Sequence, residues 1–178
     1  MYPLSKATEN FKAALEFANR LTVEKGATYV GSEHFVHAFL CLPQCSAYQV
    51  LTQCGVTRAQ YEQLFFPKID TNSKYEGLTR RTQHMYDTAA MLAEDANQAV
   101  GTTHMLYAIL EVEDCFAVQI LKKLVGMYEL KCKTWEKLQN LSTPKSETET
   151  VSNIFPPIAL WEFLSQIRYL LLIIQTKS

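Results

Sequence analysis

The stretch Val30–Leu40, V-G-S-E-H-F-V-H-A-F-L, returns as Val100–Leu110, V-G-T-T-H-M-L-Y-A-I-L, at an offset of 70 residues. A fold for this chain must therefore be one that is built twice. Val30/Val100, Gly31/Gly101, His34/His104, Ala38/Ala108 and Leu40/Leu110 are identical pairs, and the register continues through Cys45/Cys115, Ala47/Ala117, Gln49/Gln119 and Leu51/Leu121. Self-similarity at a fixed offset marks duplicated supersecondary units, and this offset exceeds the 20–50 residues usual for solenoids. Two copies point to a duplicated globular domain, not to an array.

The local chemistry of the motif is that of a helix start. Gly31 and Gly101 let the backbone turn, and Ser32 or Thr102 offers an N-cap oxygen for an otherwise unpaired backbone N–H. Phe35, Val36, Phe39 and Leu40 then share one helical face. Glu33 lies in the first turn, where the helix dipole favours negative charge; the second copy has Thr103 instead.

Glycine, a small hydroxyl residue, Glu, His and an aliphatic helix, given in duplicate, resembles the Gly-Thr-Glu-His signature of the Clp N-terminal domain. That domain is the tandem-repeat module preceding the ATPase rings of ClpC- and ClpA-type unfoldases. The resemblance runs over roughly residues 1 to 138 and includes the doubling. It implies a non-catalytic module that binds substrates or adaptors for the Clp protease and chaperone system. In ClpC-type domains the signature Glu and a Thr opening each repeat's first helix take part in binding phosphoarginine, the carboxylate on the guanidinium and the hydroxyl and amides on the phosphate. By position Glu33 and Ser5 match in the first repeat; in the second Thr79 matches, while Thr103 stands in place of the acid. The alternative that Ser5, Thr79, Ser32 and Thr102 are helix caps and nothing more stays open.

Apolar spacing extends the helical reading along the chain. With 48% hydrophobic and 20% charged residues the composition is that of a folded protein. Phe11, Ala14, Leu15, Ala18 and Leu21 predict a helix over 5–22 with Ser5 as cap. The motif helix follows near 33–42 before Pro43, then one from Cys45 to Cys54 ended by Gly55, then a short one capped by Thr57. The second copy repeats the plan, with Leu78-Thr79 matched to Leu4-Ser5, a helix near 79–96 carrying Met85, Ala89, Leu92 and Ala96 inward, and helices near 103–111, 115–125 and 128–139. No segment alternates as a strand does. Each unit of about 60 residues is marginal alone, so the expectation is one all-α, pseudo-twofold domain over 1–139, from four-helix repeats at 4–66 and 78–139. A polar linker is expected over 140–153 and an apolar helix over 154–178, too interrupted to span a bilayer and suited to docking or self-association.

Several functions are excluded or disfavoured by the sequence. There is no G-x-x-x-x-G-K-[ST] phosphate loop and no G-x-S-x-G elbow, so no enzyme and no cofactor is expected. A net charge of -1 gives no reason to expect nucleic-acid binding, and the basic residues Arg80, Arg81, Lys131, Lys133 and Lys137 read as solvated helix faces. His34, His37, Cys41 and Cys45 have spacings that could place zinc ligands on one face, but the second copy has Tyr107 and Glu111 at the positions of His37 and Cys41, so no metal is expected. Five cysteines form an odd set, and Met1–Lys6 shows neither a basic nor an apolar leader region, which points to the cytoplasm. Partners are then adaptors or tagged substrates, with Clp ATPase or protease subunits for a stand-alone regulator; a truncated remnant without activity is the remaining alternative.

Overall fold

The computed structural model describes residues 4–65 and 74–142. The expected apolar tail, and most of the linker before it, lie outside the described residues. Eight α-helices occur among those described: α1 (Glu9–Glu24), α2 (Ser32–Leu40), α3 (Ser46–Gln53), α4 (Arg58–Leu64), α5 (Arg80–Asp95), α6 (Thr102–Leu110), α7 (Phe116–Leu121) and α8 (Met127–Ser142). The fold is all-helical apart from two-residue strands β1 (Tyr29–Val30) and β2 (Gly77–Leu78), which pair in parallel, and a parallel bridge between Ala7 and Val100. Such short pairings carry no period of two, which is why the sequence does not announce them.

The first helix begins later than its apolar spacing suggests. Thr8, not Ser5, caps α1, its hydroxyl accepting from Phe11 N at 3.2 Å, while Ser5 sits exposed in a 3-10 turn over Leu4–Lys6. Thr79 caps α5 in the same way, accepting from Thr82 N at 3.0 Å. Thr8 and Thr79 are therefore equivalent, and both helices have 16 residues. The matching of Leu78-Thr79 to Leu4-Ser5 is accordingly corrected. Between the first helix and its motif glycine the second repeat is one residue shorter, Ala96–Gly101 against Lys25–Gly31.

Helix ends follow local backbone chemistry. Gly26 at φ 64° ends α1, with Ala27 N–H returning to Thr22 O; Asn97 at φ 53° does the same after α5, with Gln98 N–H on Ala93 O. Both are left-handed C′ positions, where Asn is the usual substitute for Gly. Helix α7 stops at Leu121, not near 125, because Lys123 and Leu124 donate back three residues, to Ile120 and Leu121, and tighten the chain into turns. Helix α8 runs on to Ser142, past the Asn140 where composition turns polar.

One core serves both repeats. Phe11 of α1 stacks on Phe35 of α2 at 6.1 Å and on Tyr86 of α5 at 5.4 Å. Helices α2 and α6 lie at its centre, where Phe35, Phe39, Met105, Leu106, Ile109 and Leu110 are fully buried; each such side chain contributes roughly 1.5–3 kcal/mol. On α5 the inward stripe is Met85, Tyr86, Ala89, Ala90 and Ala93, with Leu92 and Ala96 at its edge. Among the described residues no helix is long and apolar enough to cross a membrane.

Candidate functional site

The two motif helices start in the same unusual way. Gly31 and Gly101 are the N-caps, at φ −98° and −112°, an extended backbone open to any residue. Chain turning is thus not what requires glycine at 31. A Cβ there would collide with the Glu33 carboxylate, which folds back across it, whereas at Gly101 the nearest atom to a Cβ is His104 Nδ1 at 3.4 Å. The histidines complete the cap: Gly31 N–H donates to His34 Nδ1 at 3.0 Å, and Gly101 N–H donates to His104 Nδ1 at 3.1 Å. Burial pushes the His104 imidazole below its ordinary value.

Ser32 and Thr102 are not the caps of their own helices; each is the first helical residue and serves the other repeat. Ser32 Oγ accepts from Ala117 N at 3.4 Å at the start of α7, and Thr102 Oγ1 accepts from Ala47 N at 3.2 Å at the start of α3. The caps Cys45 and Cys115 leave those second-position amides to a partner. The backbone lead-ins cross over likewise. Thr79 N–H donates to Val30 O at 3.1 Å and Glu76 N–H to Thr28 O at 2.8 Å, while Thr8 N–H donates to Val100 O and Val100 N–H to Lys6 O, both at 2.9 Å.

Those crossings regroup the expected site residues. Thr79 is held beside Val30, just before the turn that carries Glu33, and Thr8 beside Val100, just before the turn that carries Thr103, while Ser5 lies in the 3-10 turn ahead of Thr8. Glu33 is 19% exposed, with its carboxylate 3.3 Å from His34 Nδ1 and 3.4 Å from Ser32 Oγ. Burial alone would raise its carboxyl, but His34 and Ser32 bring it below the ordinary value. His34 Nδ1 stands between the Gly31 N–H and the Glu33 carboxylate. Its Nε2 is buried with no hydrogen-bond partner, edge-on to Phe65 at 5.4 Å.

The second corner is closed. Thr103 is fully buried and donates to Ser46 Oγ at 2.6 Å, and Ser46 Oγ lies 3.1 Å from Thr102 Oγ1. At the position equivalent to Ser46 the first corner has Phe116, which is 43% exposed. An open depression of about 470 Å³ runs along the start of α5, lined by Glu76, Leu78, Arg80, Gln83, His84 and Asp87 with Gly77; Glu33 is not among its walls.

The four residues with zinc-like spacing do not converge on one point. His34 serves Gly31, His37 Nε2 meets Glu62 at 2.8 Å, Cys41 faces His37 Nδ1, and Cys45 accepts from Tyr48 N and donates to Phe39 O. Among the described residues no three His, Cys, Asp or Glu side chains converge as a metal set. Of the basic residues, Arg81 pairs with Asp114, Lys131 with Glu111 and Lys133 with Glu129. The sequence reading missed Thr8, Ser46 and Phe116. Alignment of Thr8 with Thr79 at an offset of 71 would have found the first, and the residues following Cys45 and Cys115 the other two.

Two helical repeats that exchange caps and strand pairings across a shared core define an all-α tandem-repeat domain. The chain belongs to the Clp repeat (R) N-terminal domain family, whose profile matches residues 6–124. It is 29% identical over 153 residues to a probable ATP-dependent Clp protease ATP-binding subunit of Chlamydia pneumoniae, covering 79% of this chain and 18% of that protein. The chain thus spans less than a fifth of that relative's length. The N-domain of ClpV from Vibrio cholerae is similar in fold, with a TM-score of 0.63 and 22% identity over 76% of this chain and 87% of that one. A ClpV N-domain in complex with a VipB peptide gives 0.60 and 23% identity, over 77% and 89% of the two chains.

Proposed function

We propose that this chain is a non-catalytic recognition module of the Clp protease and chaperone system, binding adaptors or marked protein substrates. Membership of the Clp repeat family carries this reading, and the peptide held by a ClpV N-domain supports a peptide-binding role. The recognition corner is Gly31, Glu33 and Thr79, with phosphoarginine as its ligand. The Glu33 carboxylate takes the guanidinium, and the Thr79 hydroxyl and the amides opening α5 take the phosphate, since a helix start offers free N–H groups and the positive end of the dipole. Thr103 has no charge for the guanidinium, and its hydroxyl is already bonded to Ser46; the second corner is a weak site or none.

All five cysteines are free, which supports a reducing, cytoplasmic setting. Two measurements test the role. Capture from the source cell with the full chain as bait should recover Clp ATPase or protease subunits, their adaptors or substrates. Hydrolysis of ATP by the purified chain would overturn the non-catalytic reading.

A further inference from the structure

The first repeat contains a cluster that the recognition role does not use. His37, buried near the end of α2, donates from Nε2 to Glu62 Oε1 at 2.8 Å, and Arg58 Nε donates to the same oxygen at 2.7 Å. His37 and Arg58 together hold the Glu62 carboxyl below its ordinary value, so Glu62 is a carboxylate and the proton of a neutral His37 is fixed on Nε2. The bare Nδ1 then faces Cys41 Sγ at 3.9 Å. Rings of Phe17 and Phe65 flank the imidazole at 6.0 and 5.5 Å. The second repeat has Tyr107 and Glu111 at these positions.

A thiol, a base oriented toward it and a carboxylate that sets the base's tautomer form the arrangement of an activated nucleophile. We infer that Cys41 is a base-assisted thiol that undergoes exchange with low-molecular-weight disulfides. In that step the Cys41 proton passes to His37 Nδ1 and the thiolate attacks one sulfur of the disulfide. A protein–ligand S–S bond forms as the ligand's S–S bond breaks, and the departing thiolate takes the proton from His37. The reaction is an exchange and needs no further oxidant.

Without the base Cys41 would be unreactive. Burial pushes its thiol up; Arg58 draws it down and the Glu62 charge pushes it up again. Burial likewise lowers His37, against the raising effect of Glu62, with Arg58 and His34 adding to the lowering. These groups give the inference a test of sign. Removing Glu62 takes away a negative charge that disfavours the thiolate, so electrostatics alone makes Glu62→Ala react faster. Loss of the oriented base makes it react slower.

The full chain is treated with the aromatic disulfide dithiobis(nitrobenzoate), below stoichiometry, and each cysteine is followed by peptide mass spectrometry. Cys54 and Cys132, both partly accessible, are internal standards. Cys41 should be modified first, with a rate that rises as His37 loses its proton and then levels, below the pH at which the standards accelerate. Glu62→Ala should slow Cys41 by roughly tenfold, less than the full 10²–10⁴ of a positioned base because the imidazole remains, and leave Cys54 and Cys132 unchanged. Faster modification of Cys54 or Cys132 in the native chain, or an unchanged or faster Cys41 in Glu62→Ala, would overturn the inference. Glu62 lies at the surface, with 41% of its side chain accessible, so the variant tests the relay without emptying the core.

Discussion

Replacing Thr102 by Val keeps the shape of a fully buried side chain and removes one oxygen. That oxygen accepts the Ala47 N–H at 3.2 Å and lies 3.1 Å from Ser46 Oγ, and Thr102 is 1% exposed, so water does not replace it. Loss of a helix-start acceptor costs about 0.5–2 kcal/mol, and a buried donor left unpaired costs about 1–3 kcal/mol. These describe the same event, so they are not summed; an expected loss of about 2 kcal/mol follows. Ser32→Ala removes the counterpart at 3.4 Å, a longer bond, and should cost about 1 kcal/mol. Urea denaturation of the full chain reads both as shifts in midpoint at constant slope. Amide exchange locates the effect, with faster exchange at Ala47 in α3 and not at the start of α6. A Thr102→Val protein within about 0.5 kcal/mol of the parent, the usual range for inconsequential surface changes, would refute the cross-repeat cap. So would acceleration confined to α6.

A Cβ at residue 31 meets only the movable end of the Glu33 side chain, so Gly31→Ala should cost about 1 kcal/mol or less, read again from urea midpoints; a loss of about 3 kcal/mol would contradict this. The imidazoles of His37 and His104 are held below their ordinary values by burial, so the unfolded chain binds more protons than the native one between the folded-state and unfolded-state values. Their contribution is complete above about pH 6.5, the unfolded value, and is lost as pH falls from there toward the folded values; His104→Gln should flatten the decline in melting temperature across that window. Deleting residues 154–178 should leave a cooperatively melting domain, because the described core is assembled from residues 7 to 130; loss of the calorimetric transition would contradict this.

What the sequence makes legible is what lies within a repeat. The offset of 70 residues, the apolar spacing and the cap chemistry of Thr57 and Thr79 report contacts three or four positions away, so the helices and their type can be read directly. The hydroxyls of Ser32 and Thr102 sit where a cap is expected, but the amides they serve are 85 and 55 residues distant. No local pattern encodes that. Ser5 attracts attention because it precedes an apolar run, yet Thr8 stands nearer Phe11 and takes the cap. The approach of the Glu33 carboxylate to Gly31 emerges only once the side chain is placed. The candidate residues are therefore legible one by one and not as a grouping, since which lead-in runs beside the Glu33 motif is decided by strand register between repeats.

Calorimetric titration of the full chain with free phosphoarginine tests that grouping most directly. One site is expected, weakened roughly tenfold or more in Glu33→Ala by loss of a charged hydrogen bond worth about 1.5–3 kcal/mol, weakened also in Thr79→Ala, and unaltered in Ser5→Ala and Thr103→Ala. Two equal sites, binding unchanged in Glu33→Ala, or binding lost in Ser5→Ala would contradict it.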